Sequence, residues 1–257
     1  MFIRLTLALT LAVVPALHGR LKPGEARTAT AATINPFVVG ERLSYDVAWR
    51  DFIVAGELTL ETKERRVVDG IDSFHVTAVA RSVGLGSLVL KVNDRYDSFI
   101  DAATLKPFRA EKHSRRGKKS RTTSITIDNE RGTARLTDGR SIEIPADTYD
   151  LAGLMYAIRA IELRPGSSRT FTLLEDDKRY TILVEAGQRE KIRTRAGAFD
   201  AVRVSARVVE KANSRDKARL RLYVTDDARR LPVLLTADPS SGEVRVELTS
   251  VTGREGK

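Results

Sequence analysis

The chain has 257 residues, with 44 Lys and Arg against 34 Asp and Glu, a formal charge of +10, and no cysteine. The lack of cysteine excludes disulfides, thiolate metal sites, thiol nucleophiles and a cysteine-linked lipid anchor. Aromatic residues make up only 6%, too few for a carbohydrate cleft of stacked rings, so the core falls to Val, Leu, Ile and Ala.

Arg4 followed by the apolar run from Leu5 to Leu17, broken only by Thr6, Thr10 and Pro15, reads as a signal peptide. The run is shorter than the roughly twenty apolar residues that cross a bilayer as a helix. Cleavage after Ala16, Ala26 or Ala31 is compatible with the small residues there, Ala29-Thr30-Ala31 fitting best. Residues 1–31 are therefore assigned to the signal peptide and the start of a linker, 32–36 to the linker, 37–252 to a single β domain and 253–257 to a tail. The expected location is the periplasm, with no transmembrane segment in the mature chain.

From Leu43 the apolar residues alternate strictly: Leu43, Tyr45, Val47 and Trp49 share one face, as period two requires of a half-buried strand. A second strand is predicted over Ile53–Arg65, a tight turn at Asp69-Gly70, and a third strand with Phe74, Val76, Ala78 and Ala80 inward. A fourth runs from Leu88 to Ile100. Gly84-Leu85-Gly86 is read as a bend between the third and fourth. Pro107 opens the next strand, which climbs to the basic tip Arg115-Arg116-Gly117-Lys118-Lys119 and returns through Thr122 to Asp128. Short strands follow at Thr133–Thr137 and Ser141–Pro145.

The rhythm then breaks. Leu151, Leu154, Met155, Ile158 and Ile161 lie at helical spacing, Asp150 is placed to cap the first turn, and Arg164-Pro165-Gly166 to end the last. The spacing predicts one amphipathic helix over 151–163. Strands resume at Thr170–Leu174, Arg179–Glu185, Glu190–Thr194, Phe199–Glu210, Lys217–Thr225, Pro232–Ala237 and Glu243–Ser250. Asp176-Asp177, Asp226-Asp227 and 238–242 are read as turns. The fold class is mainly β: a long curved antiparallel meander, open-barrel or half-barrel like, with one helix. Alternation alone does not say whether one sheet curls or two sheets pack.

Candidate chemistry is sparse. His75 and His113 stand on different strands without carboxylates at ligand spacing, so no metal site is expected, and both are read as solvent-facing. Ser87 has no nearby base. Glu175, Asp176 and Asp177 fall at a turn beside Lys178 and Arg179, where solvated charge is the ordinary reading. No catalytic residue, metal or cofactor is assigned, and enzymatic activity is not expected. The scattered basic residues, among them Arg203, Arg207, Arg219 and Arg221, fit a wet sheet face better than a nucleic-acid surface. The Arg115, Arg116, Lys118 and Lys119 tip is the strongest local charge and a candidate contact for anionic surfaces. Tyr45, Trp49, Tyr96 and Met155 are the candidates for lining an interior, should the sheet enclose one.

Several short motifs occur in a telling order. Gly40-Glu41-x-Leu43-x-Tyr45-x-Val47-x-Trp49 is followed by Gly56-x-Leu58, Asp94-x-Tyr96-Asp97-Ser98 and Thr104-Leu105-x-Pro107. Then come Ile144-Pro145, Tyr149-Asp150-Leu151, Met155-Tyr156-Ala157-Ile158-Arg159, Gly197-Ala198-Phe199 and Arg230-Leu231-Pro232. In these the chain resembles the bacterial DUF3108 family of exported proteins from about Phe37 to Ser250. The resemblance implies export and a β-rich fold, and it brings no catalytic or ligand residues. One departure is Tyr223-Val224-Thr225-Asp226, where an aromatic, often Trp, is expected before the late Asp.

The leading functional expectation is a non-enzymatic periplasmic protein that binds a lipid or other amphipathic ligand, or an envelope component, within a curved sheet. An interaction or scaffolding module for envelope proteins stands second. An enzyme acting on envelope glycans or lipids stands third, because it needs carboxylates converging in a cleft.

Overall fold

The structure is a computed structural model that describes residues 35–49, 53–89, 91–210, 215–237 and 243–253. The expected signal peptide, its cleavage site, and the turn expected at 238–242 lie outside these residues.

The amino-terminal half comprises β1 (Arg42–Trp49), β2 (Ile53–Val68), β3 (Ile71–Ser82), a short helix α1 (Gly84–Val89), β4 (Val92–Asp101), β5 (Pro107–Arg116), β6 (Lys119–Asp128), β7 (Thr133–Leu136) and β8 (Ser141–Glu143). A two-residue strand β9 (Thr148–Tyr149) and the helix α2 (Leu151–Ala160) follow. The carboxy-terminal half comprises β10 (Ser168–Glu175), β11 (Lys178–Thr194), β12 (Gly197–Glu210), β13 (Arg215–Thr225), β14 (Pro232–Ala237) and β15 (Val244–Thr252). All fifteen strands form one sheet, mainly antiparallel, with order 8-7-6-5-4-3-2-1-15-14-13-12-11-10-9. The sheet is thus two meanders spliced where β1 pairs with β15, and its two edges, β8 and β9, do not pair with each other. The fold is mainly β, and one continuous open sheet replaces the pair of packed sheets that the sequence left open.

The splice depends on close backbone approach. Gly40 and Gly253 sit just outside the paired ends of β1 and β15, both at positive φ (83° and 82°). A Cβ on Gly253 would lie 1.6 Å from the Gly40 carbonyl oxygen, so no other residue fits there without moving a strand.

Three local expectations are corrected. The strand expected to begin at Leu88 begins at Val92, because Gly84 to Val89 is helical; the Gly84-Leu85-Gly86 segment is a helix start rather than a simple bend. There Gly86 presses on β2, and a Cβ would meet the Ala55 carbonyl oxygen at 2.1 Å. The strands expected at Arg179–Glu185 and Glu190–Thr194 are one strand, β11, with a bulge between Ala186 and Arg189 that realigns the pairing with β12. Finally, α2 stops at Ala160 rather than near residue 163. A proline ring clashes with the carbonyl four residues before it, and four before Pro165 is Ile161, the residue that turns extended.

Helix α2 is also less amphipathic than its pattern suggests. Eight of its ten residues are buried, the exceptions being Leu151 and Met155, and a helix buried nearly all round lies inside a fold rather than on it. It crosses the concave face of the sheet. Tyr156 stacks on Phe37 (4.3 Å), Phe37 stacks on Phe74 of β3 (4.6 Å), and the Tyr156 hydroxyl meets Thr62 Oγ1 at 2.6 Å.

The last turn of α2 carries Arg159, whose side chain is 1% exposed beside the fully buried Glu41. Nη1 lies 2.7 Å from Oε2 as a close ion contact, and Nη2 donates to Oε1 at 3.1 Å. The same guanidinium donates to the carbonyls of Arg229 and Arg230 in the β13–β14 turn. Arg230 adopts a φ of 49° there, unusual for a non-glycine residue. One buried cation therefore joins the helix, the segment entering β1, and a turn of the carboxy-terminal half.

Breaking one side of such a pair strands a buried charge, which typically costs 3–5 kcal/mol, roughly, whereas replacing both partners by apolar groups is often near neutral. Arg159→Met and Glu41→Leu are each expected to lower unfolding free energy in urea by about 3–5 kcal/mol, and the double variant to lie well above either single one.

Candidate functional site

Helix α2 fills only part of the space the sheet surrounds. Beside its first turns lies a cavity of about 130 Å³. Its wall comes from both halves of the sheet: Tyr45 and Val47 of β1, Leu58 and Leu60 of β2, Ala78 and Ala80 of β3, Leu222 of β13, Leu234 and Leu235 of β14 and Val246 of β15. Leu151 and Met155, four residues apart and so on one helix face, complete it. These two, with Val47, Leu58 and Leu235, are half-buried rather than buried, which marks the side where the cavity opens to solvent. The wall at that side includes Ala55, Gly56, Ser82 and Val92, at the end of the sheet where α1 sits.

Alternation builds the wall. Gly56 faces Val47 and Ser82 in the ladders on either side, Leu58 faces Tyr45 and Ala80, and Leu60 faces Leu43 and Ala78. Opposed residues of adjacent strands project from the same face of a sheet. The alanines on β3 are what keep the volume open, since larger side chains at 78 and 80 would occupy it. The Tyr45 hydroxyl, a polar atom of this wall, donates to the Pro232 carbonyl at 2.9 Å. Burial pushes its ionisation far above the usual phenol range.

Across the first turn of α2 lies a small polar recess that shares Leu151 and Ala152 with the cavity wall. It contains Tyr96, Ser98, Lys112, Asp150 and Glu175. Lys112 pairs with Glu175 at the β10–β11 turn, Tyr96 donates to the same carboxylate at 3.4 Å, and Thr123 donates to Asp176 Oδ1 at 3.4 Å. Arg140 reaches Asp177 from the β7–β8 turn. The expected solvated turn is thus a clasp between the two ends of the sheet, and Glu175 is spent on it. Burial, then the negative charge of Glu175, pushes the Tyr96 phenol up.

Asp150 is buried. Its Oδ1 accepts from the Gly153 amide at 2.6 Å, capping α2, and its Oδ2 accepts from Ser98 at 2.5 Å. Burial pushes its pKa up to about 6 against these hydrogen bonds. These carboxylates converge, yet each is engaged by a partner within the fold.

Of the proposed lining residues, the structure places Tyr45 and Met155 on the cavity wall and Tyr96 in the polar recess. Trp49 packs instead at the margin of the core cluster formed by the carboxy-terminal strands and α2. Sequence reasoning missed Leu58, Ala78, Ala80 and Leu235; the small side chains of β3 were the available signal. In the basic tip, Arg115, Lys118 and Lys119 are exposed, whereas Arg116 turns inward to the buried Asp94 at 3.0 Å. His113 is exposed, but the expectation of a solvent-facing His75 is corrected. That ring is 7% exposed, stacks on Phe99, and meets Asp97 at 2.8 Å. Burial would raise Asp97, but hydrogen bonds from Arg95 and His75 outweigh it and hold the carboxyl well below the usual range. Among the described residues no cluster of three metal-ligating side chains occurs, and no helix is long and apolar enough to cross a membrane.

Asp150 and Asp97 act oppositely with pH. Between the ordinary value of 3.8 and about 6, Asp150 binds more proton in the folded than in the unfolded protein, so its contribution to stability falls as pH rises through that window. Asp97, with its depressed pKa, contributes stability that is lost as pH drops below its unfolded value. Asp150→Asn retains a capping side chain and is expected to flatten the decline between pH 4 and 6 in chemical denaturation. The gain at neutral pH is on the order of 2 kcal/mol.

No functionally curated protein matches the chain. In structure, it is similar to a β-barrel-like protein of domain of unknown function DUF1849 from Brucella abortus, with a TM-score of 0.57 and 12% identity. That match covers 85% of this chain and 99% of the other. A protein with a YmcC-like fold from Bacteroides fragilis matches at TM-score 0.37, 14% identity, and 86% and 100% coverage. A protein described as a lipoprotein from Parabacteroides distasonis matches at TM-score 0.39, 9% identity, and 87% and 100% coverage. The first supports the barrel-like fold; the other two are too distant to add to it. The model of the DUF3108 family, described as a protein of unknown function, matches residues 44–249. With that match spanning the sheet from β1 to β15, the chain belongs to the DUF3108 family.

Proposed function

We propose that this is a non-enzymatic extracytoplasmic binding protein that takes the apolar chain of a lipid or similar amphipath into the cavity beside α2. The observation that carries the reading is an apolar space of about 130 Å³, open at one end of an otherwise packed interior. An engineered aliphatic cavity of about 150 Å³ stays dry and binds benzene, so the space suits the end of an alkyl chain and not a polar metabolite.

Placement outside the cytoplasm rests on the basic residue and apolar run at the amino terminus and on the family's exported character. The interaction-module reading draws less support. Its premise is an exposed sheet edge that accepts a partner strand, and here the edge strands are three and two residues long; short edges are how sheets avoid such pairing.

The test is titration with the fluorescent apolar probe N-phenyl-1-naphthylamine, with oleate as competitor, and native mass spectrometry of protein purified from its exporting host. Saturable probe uptake reversed by oleate is expected. Ala80→Phe, which fills the cavity from β3, is expected to weaken uptake by at least about tenfold, the equivalent of 1.4 kcal/mol, with unchanged circular dichroism. Absence of both probe binding and co-purified lipid sinks the proposal.

A further inference from the structure

The end of the sheet where the cavity opens carries a feature that neither the core nor the cavity uses. Helix α1 presents two leucines to solvent, Leu85 at 63% and Leu88 at 80% exposure. Among the described residues the other exposed large apolar side chains are Val39, Val67 and Leu183, and Leu85 and Leu88 are the pair that shares one short helix. The helix sits beside the opening: Gly86 lies against the Ala55 backbone, and the Val83 amide donates to the Ala55 carbonyl at 3.0 Å.

The neighbouring surface is basic. The Gly117 amide at the tip of the β5–β6 hairpin donates to the Lys91 carbonyl at 2.9 Å, tying that tip to the chain that leaves α1. Arg115, Lys118, Lys119 and Arg121 on the hairpin are exposed, as is Lys91. Arg81 joins them, since it pairs with Asn93, which pairs with Arg115 on the next strand. Among the described residues the acidic side chains close by are Asp94, buried against Arg116, and Glu57, which faces Arg81 across the β2–β3 ladder. Apolar side chains ringed by Lys and Arg match a bilayer interface, with the leucines reaching into the acyl boundary and the cations among anionic headgroups.

We propose that this end of the molecule docks on an anionic lipid bilayer through Leu85 and Leu88, framed by Arg81, Lys91, Arg115, Lys118, Lys119 and Arg121. The docking surface goes beyond the cavity reading and stands without it, though together they place the cavity opening against the membrane. Each Lys or Arg near an anionic surface adds roughly fivefold to affinity, and the contribution fades as salt screens it.

Flotation with vesicles tests this directly, using phosphatidylethanolamine and phosphatidylglycerol at about three to one against pure phosphatidylcholine. The purified protein is expected to float with the anionic vesicles at low salt and to stay behind with the neutral ones. Leu85→Ser with Leu88→Ser is expected to weaken flotation by about tenfold or more. Lys118→Glu with Lys119→Glu is expected to abolish it at moderate salt. Both pairs alter exposed side chains and are expected to keep the wild-type thermal transition and uptake of N-phenyl-1-naphthylamine, so cavity and docking are read separately. Equal flotation with neutral vesicles, indifference to both pairs of substitutions, or binding to soluble polyglutamate without binding to vesicles would overturn the proposal.

Discussion

On the concave side of the sheet a guanidinium and a carboxylate meet where water does not reach, and the placement of everything else inside follows from them. Arg159 arrives on the last turn of α2, Glu41 on the segment that leads into β1. Coulombic attraction between them is strong in a low-dielectric interior, but so is the cost of dehydrating either alone. The arrangement therefore tolerates no half-made version. It fixes the depth to which α2 enters the sheet, and the two turn carbonyls that also accept from Arg159 fix its direction. The aromatic stack of Phe37, Phe74 and Tyr156 fills the same end. The space the helix leaves unfilled is the cavity, which Leu151 and Met155 line.

The two halves of the open sheet are joined by unlike means at two places. Between β1 and β15 the joint is a ladder of backbone hydrogen bonds, with two glycines passing at the margin. Across the polar recess it is made by side chains, with Lys112, Tyr96, Thr123 and Arg140 reaching the acidic turn at Glu175 to Asp177. Ion pairs with partial exposure are weak compared with a ladder. Small apolar contacts from Ile125, Ile127, Leu136 and Leu174 lie beneath the clasp. The seam is accordingly the softer of the two joints, and it runs next to the first turn of α2, where the polar recess and the cavity share their wall.

Polar side chains in this interior are used for construction. Asp150 caps a helix and anchors to Ser98, Tyr45 ties β1 to β14 through Pro232, and Asp94 holds Arg116 back from the surface. The motif residues that carry the family resemblance fall heavily in this group: Glu41, Tyr45, Asp94, Asp150, Tyr156, Arg159 and Arg230. They describe how a helix is installed inside a sheet. Such residues build the fold, and the cavity beside the helix is shaped by the smaller, plainer side chains of β2, β3 and β14.

Period-two alternation located most of the strands, and the helical spacing from Leu151 located the start of α2, because burial of one face imposes those periods on the sequence directly. The Asp150 cap and the Asp-Gly turns were legible for the same local reason. Long-range facts left no such trace. Nothing adjacent to Glu41 announces Arg159, 118 residues away, and nothing in β1 says that its second neighbour is β15, so one open sheet and two packed sheets read alike. Trp49 and Tyr45 share a strand face, yet Tyr45 lines the cavity and Trp49 packs at the margin of a core cluster, with an irregularity in the β1–β2 pairing at Val47/Ala48 between them. An empty space is the hardest feature to read in a sequence, since it consists of side chains that are absent; it took the tertiary structure to bring Ala78, Ala80 and Met155 around the same volume.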